Sequence, residues 1–112
     1  MPAPSHMHSK KTIDLRPEHR SIVLGILEEH IPGIPVRAFG SRVSGGAKPH
    51  SDLDIVLMTA EPIDFARMSA LQDAFSASML PMKIDVLDWS ILSSEFRRLI
   101  EESSIDLAKG KE

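Results

Sequence analysis

Cysteine is absent from the 112 residues, which excludes disulfides and thiolate metal sites and suits a cytoplasmic protein. An excess of positive charge is also missing. Thirteen Lys and Arg stand against sixteen Asp and Glu, a net charge of −3, so no basic field is available to hold a nucleic-acid backbone. No apolar run approaches the roughly 18 residues that a membrane span requires. The opening segment, Met1 to Lys11, is polar and proline-containing and has no signal-peptide core. It reads as part of a disordered lead over 1–14, and His6 and His8 read as solvated tail residues rather than metal ligands. What remains is ordinary for one globular domain: 42% hydrophobic and 26% charged residues, with a chain long enough for a single core.

The periodicity predicts six elements. Pro17 suits a first helical turn, and Ile22, Val23, Ile26, Leu27, His30 and Ile31 recur at helical spacing before Pro32-Gly33 stops them. A first helix is therefore expected over 17–31, followed by a short strand over 35–39 and a Gly/Pro/Ser loop over 41–51. A second strand is expected over 52–58, continuous in Leu, Ile and Val after its acids and so buried on both faces. Phe65, Met68, Leu71, Phe75 and Met79 form one stripe of a core-facing helix over 63–79, which Pro81 ends. A third strand is expected over 82–87 and a last helix over 91–102, with Leu92, Phe96, Leu99 and Ile100 as its stripe. The residues beyond it read as a polar tail.

The chemistry-bearing pattern is Gly40-Ser41, ten residues, then Asp52-Leu53-Asp54. Side chains alternate along a strand, so Asp52 and Asp54 are expected to share a face while Leu53 and Ile55 enter the core. Two neighbouring carboxylates resist ionising together unless a cation lies between them. A hard divalent ion such as Mg²⁺ answers that need, and Mg²⁺ usually arrives with phosphates. The Gly40-Ser41 turn offers backbone N–H groups and a hydroxyl to such phosphates. Gly40 to Lys48 is no P-loop, because the Lys and Ser/Thr that must directly follow the second Gly are missing.

Gly-Ser, a spacer and Asp-x-Asp resemble the fingerprint of the DNA polymerase β-like nucleotidyltransferase superfamily, most closely its smallest branch, the minimal nucleotidyltransferases. The resemblance covers about residues 17–107. It implies a two-layer α+β fold on a small mixed sheet in α-β-β-α-β-α order, with the domain over 15–108 and a tail over 109–112. It also implies transfer of a nucleoside monophosphate from a triphosphate to a hydroxyl, with pyrophosphate leaving. Two Mg²⁺ ions about 3.5–4 Å apart would serve the displacement. By this resemblance Asp52, Asp54 and Asp85 are the catalytic and metal-binding residues. Asp52 and Asp54 would bridge the metals, and Asp85 would hold the one nearer the acceptor hydroxyl and is a candidate base.

Gly40, Ser41 and Arg42 are the expected nucleotide-binding residues, Ser41 through its hydroxyl and Arg42 through its planar fork on the triphosphate. Asp85 sits among Ile84, Val86 and Leu87, where a carboxylate needs a partner. Asp88 competes with it but falls on the opposite strand face, where a surface acid or a helix cap is the ordinary role. Lys48 and His50 read as solvated loop residues and Trp89 as a sheet-edge aromatic. Gly45-Gly46 either lets the loop backbone approach the nucleotide or is a plain flexible turn.

By this resemblance residues 17–107 are expected to be consumed by the catalytic core, with no acceptor-binding domain expected. Proteins of the resembled branch are typically paired with a small helical HEPN protein, an RNase toxin, and AMPylate one of its tyrosines. The resemblance therefore implies ATP as donor, a HEPN-type toxin as partner in a hetero-oligomer, and a protein tyrosine as acceptor. This chain contains no tyrosine and cannot be its own acceptor. Two other readings stay open: an antitoxin that acts by binding alone, and an aminoglycoside-type nucleotidyltransferase whose acceptor pocket comes from a second chain or domain.

Overall fold

A computed structural model describes residues 12–109; the expected lead through residue 11, with His6 and His8, and the tail residues 110–112 lie outside the described residues. The elements are α1 (Pro17–His30), β1 (Val36–Phe39), α2 (Ser41–Ser44), β2 (Leu53–Leu57), α3 (Phe65–Ser76), β3 (Ile84–Asp88), a 3-10 turn (Trp89–Ile91), α4 (Ser94–Ser103) and β4 (Ile105–Ala108).

Local chemistry explains most of the boundaries. Pro17 opens α1, where its missing N–H costs nothing. Gly33, at φ +85°, turns the chain toward β1. The Asp64 carboxylate accepts the Arg67 N–H and caps α3, and the Ser93 hydroxyl accepts the Phe96 N–H and caps α4.

The sheet order is β3-β2-β1-β4. β1 runs antiparallel to β2 and to β4, while β2 and β3 are parallel. One face carries Leu53, Ile55 and Leu57 of β2 with Val36 and Ala38 of β1. These pack with Val23 and Leu27 of α1 and Leu71 and Phe75 of α3 in the main core. The other face carries Arg37, Phe39, Asp54, Val56, Asp85 and Leu87, by strand alternation and register. α4 covers part of that face. Its Phe96 ring meets Phe39 edge-on at 6.2 Å, and Arg37 donates to the Ser104 hydroxyl and carbonyl just past its end. Val56 is therefore buried as fully as Ile55, as the continuous apolar run of β2 anticipates.

Four expectations change. The 41–51 loop opens with the one-turn helix α2 instead of irregular chain. The helix expected over 63–79 is shorter, because the Asp64 cap starts it late and it stops at Ser76; Phe65 and Met79, assigned to its buried stripe, are 85% and 88% exposed. The last helix is broken. Asp88 caps a 3-10 turn, Leu92 is extended, and α4 starts afresh at Ser94, which leaves Leu99 exposed and Ile100 buried. Finally, the supposed tail contains β4. Its Leu107 is buried, and Asp106 pairs with Arg37 across the β1–β4 ladder.

Candidate active site

Strand register brings Asp54, Asp85 and the Gly-Ser turn together. β1 ends at Phe39, and Gly40 follows with φ +84°. The register sets Phe39 opposite Asp54 and Asp54 opposite Asp85, a row running across β1, β2 and β3 on one face. Gly40 lies hard against this row. A Cβ placed on it collides with Asp54 Oδ2 and lies 3.2 Å from Asp54 Cγ. Glycine is thus required here twice, for its backbone angle and for the close approach.

Asp54 shows what the row does electrostatically. Its carboxyl is pushed up to about 6, first by burial, then by the charge of Asp85, a hydrogen bond shared with Asp85, and the charge of Asp52. Asp52 differs from expectation in its element: β2 begins at Leu53, so Asp52 is the last residue of the loop and is exposed. It acts on Asp54 through its charge alone. Among the described residues no group of three or more His, Cys, Asp or Glu is placed together to hold a metal ion; the assembled pair is Asp54 with Asp85. A carboxylate pair that resists double ionisation suits a hard divalent cation, and Asp52 adds negative charge felt at Asp54. Lys83 lies 3.5 Å from Asp85, but the lysine is 74% exposed and a surface pair of this kind contributes little.

Asp54 and Asp85 open into a cleft of about 830 Å³ whose lining also includes Phe39, Phe75, Met82 and Phe96. A few polar groups set among apolar walls are the usual composition of a ligand site. At the Gly40 end, the helical bonds of α2 begin with the Val43 and Ser44 N–H groups on Gly40 O. Ser41 is half-buried at the start of this turn.

Arg42 does not occupy the position expected of it. Its side chain is buried, and its guanidinium donates to four backbone carbonyls. They are Ser51 at 3.0 Å, Asp14 at 2.8 Å, Pro49 at 2.9 Å and Lys48 at 3.4 Å. The fork assigned to triphosphate is spent on the protein's own loop.

Asp88 lies on the other face, opposite Leu57, as strand alternation anticipates. It is buried rather than at the surface. Burial pushes its carboxyl up, but hydrogen bonds from Thr59 Oγ1, the Ile63 N–H and the Ser90 hydroxyl and N–H outweigh that and hold it below the usual carboxylate range. Its role is to cap the 3-10 turn and tie down the β2–α3 connection. Trp89 stacks under the Arg97 guanidinium at 5.1 Å, and Arg97 also bonds the Trp89 and Ser90 carbonyls.

This strand row, the glycine turn against it and the helices behind the sheet define a nucleotidyl-transfer fold, and residues 26–112 match the family described as Polymerase beta, Nucleotidyltransferase. The chain belongs to that family. Within it, the chain is similar to small members. It is 44% identical over 96 residues to the "probable protein adenylyltransferase MntA" of Haemophilus influenzae, covering 86% of this chain and 84% of that one. A crystal structure of a toxin–antitoxin with AMP-PNP aligns with a TM-score of 0.68 at 22% identity, over 82% of this chain and 74% of that one. A tri-AMPylated Shewanella oneidensis HEPN toxin in complex with an MNT antitoxin provides a further alignment. Its TM-score is 0.60 at 23% identity, over 80% of this chain and 69% of that one. At these identities the solved structures share the fold.

Proposed function

We propose that this chain is an antitoxin of the minimal nucleotidyltransferase type that transfers AMP from ATP to a tyrosine of a HEPN-type toxin, with Mg²⁺ as cofactor. The observation that carries the reading is the Asp54–Asp85 pair, faced by Gly40 and open to the cleft. Similarity to a protein adenylyltransferase supports the choice of reaction, and the toxin–antitoxin folds support the choice of partner.

Asp54 and Asp85, with Asp52 at the loop end, would hold the metal, which when bound supplies positive charge against the phosphates and the acceptor oxygen. The residues of the chain place the reactants. Gly40 lets the backbone run against Asp54, so that triphosphate lying along the turn meets the acids at short range. The Ser41 hydroxyl donates to a phosphate oxygen. Asp85, on the outer strand of the row, faces the open side from which a protein hydroxyl must enter, and accepts its proton. The apolar walls at Phe39 and Phe96 limit water at the point of transfer. Phosphoryl chemistry asks mainly for such placement and for charge stabilisation.

Transfer of label from α-³²P-ATP to a HEPN-type partner tests this. Label should move with Mg²⁺, stop with chelator, and stop in Asp52→Asn/Asp54→Asn. Full transfer by the double variant contradicts the assignment.

A further inference from the structure

We propose that Arg42 is a positioning residue: it clamps the 48–51 loop to the segment at Asp14 and thereby sets where Asp52 stands beside Asp54. This rests on the reading of Asp52 and Asp54 as metal ligands given above.

The loop has little else to hold it. Gly45 and Gly46 both have positive φ, and nothing lies within 4 Å of where their side chains would be, so no packing restrains this stretch. Within the loop, Lys48 and Ser51 bond each other, through Lys48 N–H to Ser51 Oγ at 2.8 Å and Ser51 N–H to Lys48 O at 2.9 Å. These bonds shape the turn without anchoring it. Among the described residues, the hydrogen bonds that tie 46–51 to the rest of the chain all come from the Arg42 side chain.

Asp52 sits between two anchors. On one side the Leu53 N–H donates to Lys83 O at 2.9 Å and belongs to the β2–β3 ladder. On the other, Ser51 O accepts from Arg42 Nε at 3.0 Å. Removing the second anchor frees the peptide immediately before Asp52 while leaving Asp54 in its strand.

Arg42 is itself gripped from the other direction. The Asp14 N–H donates to Arg42 O at 2.6 Å, and Arg42 Nη1 donates back to Asp14 O at 2.8 Å. Ile13 and Leu15 flank this clasp and pack on the core. The segment before α1 thus forms one wall of the clamp, and the cation is neutralised by oriented carbonyl dipoles. A lysine keeps the charge but, as a compact ammonium, cannot span four carbonyls that a rigid fork reaches together.

The test compares wild type with Arg42→Lys in two measurements, after melting curves show that the variant is folded; Arg42→Gln replaces it otherwise. First, hydrogen exchange on the metal-free protein should show the Lys48 and Ser51 amides losing protection by about tenfold or more, with β1 and β2 unchanged. Second, Mn²⁺ titration followed by EPR, with saturating non-hydrolysable ATP analogue, should show metal affinity falling about tenfold. Wild-type exchange at 48 and 51 together with wild-type Mn²⁺ affinity would overturn the proposal. So would a loss of nucleotide affinity with exchange and metal binding untouched, since that is the signature of direct phosphate contact. A wild-type protein that binds no Mn²⁺ overturns the metal-ligand reading instead, and the exchange measurement still decides whether Arg42 holds the loop.

Discussion

Asp54 occupies the space where a side chain on Gly40 would have to be: a Cβ there collides with Asp54 Oδ2. The turn that is to cradle phosphate and the acid that is to bind metal are therefore in direct contact, with one glycine making that possible. Gly40→Ala should remove activity, because the backbone angle of +84° is strained for alanine and the carboxylate has to move. Gly45 is the control. Its φ of +105° is also strained, but nothing lies within 4 Å, so Gly45→Ala should cost roughly 1 kcal/mol of stability and retain most activity. Steady-state transfer rates and melting curves of the two variants separate close approach from backbone strain.

Asp54 also makes the metal-free site a source of instability. Burial and the neighbouring Asp85 and Asp52 charges push its folded carboxyl up to about 6 from an ordinary 3.8, so the native state holds this proton more tightly than the unfolded chain. Stability then falls as pH rises from about 4 to about 6, and the penalty is fully present at pH 7. Asp54→Asn should melt several degrees above wild type at pH 7 without metal, at roughly 4–8 °C for each kcal/mol relieved. The difference should shrink toward zero near pH 4. Mg²⁺ should raise the wild-type midpoint and leave that of the variant unmoved.

Asp85 and Asp88 should separate activity from stability. Asp85→Asn alters a half-buried side chain facing the cleft, so the fold should survive while transfer drops by roughly a hundredfold or more. Asp88→Ala leaves Thr59, Ile63 and Ser90 donors without their acceptor and should cost roughly 2–4 kcal/mol. Below its melting range it should still turn over. Denaturant midpoints paired with transfer rates rank the two, and a larger loss of turnover at Asp88 would contradict the face assignment.

The pattern that marks the candidate site is legible in the sequence because its signals are local. Gly40-Ser41 and Asp52-x-Asp54 lie within one stretch, and Asp85 sits inside an unmistakable apolar strand. β4 was not readable. Ile105 to Ala108 is four residues with a charged member, and what makes it a strand is the antiparallel pairing with β1 and the Arg37–Asp106 bridge, both distant in sequence. The setting of Arg42 is equally hidden from the sequence. A guanidinium beside a Gly-Ser turn suits phosphate, but the folded-back loop brings it three carbonyls, from Lys48, Pro49 and Ser51, and Asp14, 28 residues away, brings a fourth. Met79 shows the limit of periodicity, which extends a helical stripe past the stop at Ser76, and Phe65 lies within the helix yet faces solvent at its first position.

The central claim is modification of a partner's tyrosine by AMP, and intact mass of that partner measures it most directly. A HEPN-type toxin is co-expressed with wild type or with Asp52→Asn/Asp54→Asn, purified and weighed. Wild type should add one or more AMP units, lost when the modified tyrosine is changed to phenylalanine, and growth rescue should require the intact acids. Rescue by the double variant with no added mass would contradict the account and leave an antitoxin that acts by binding alone.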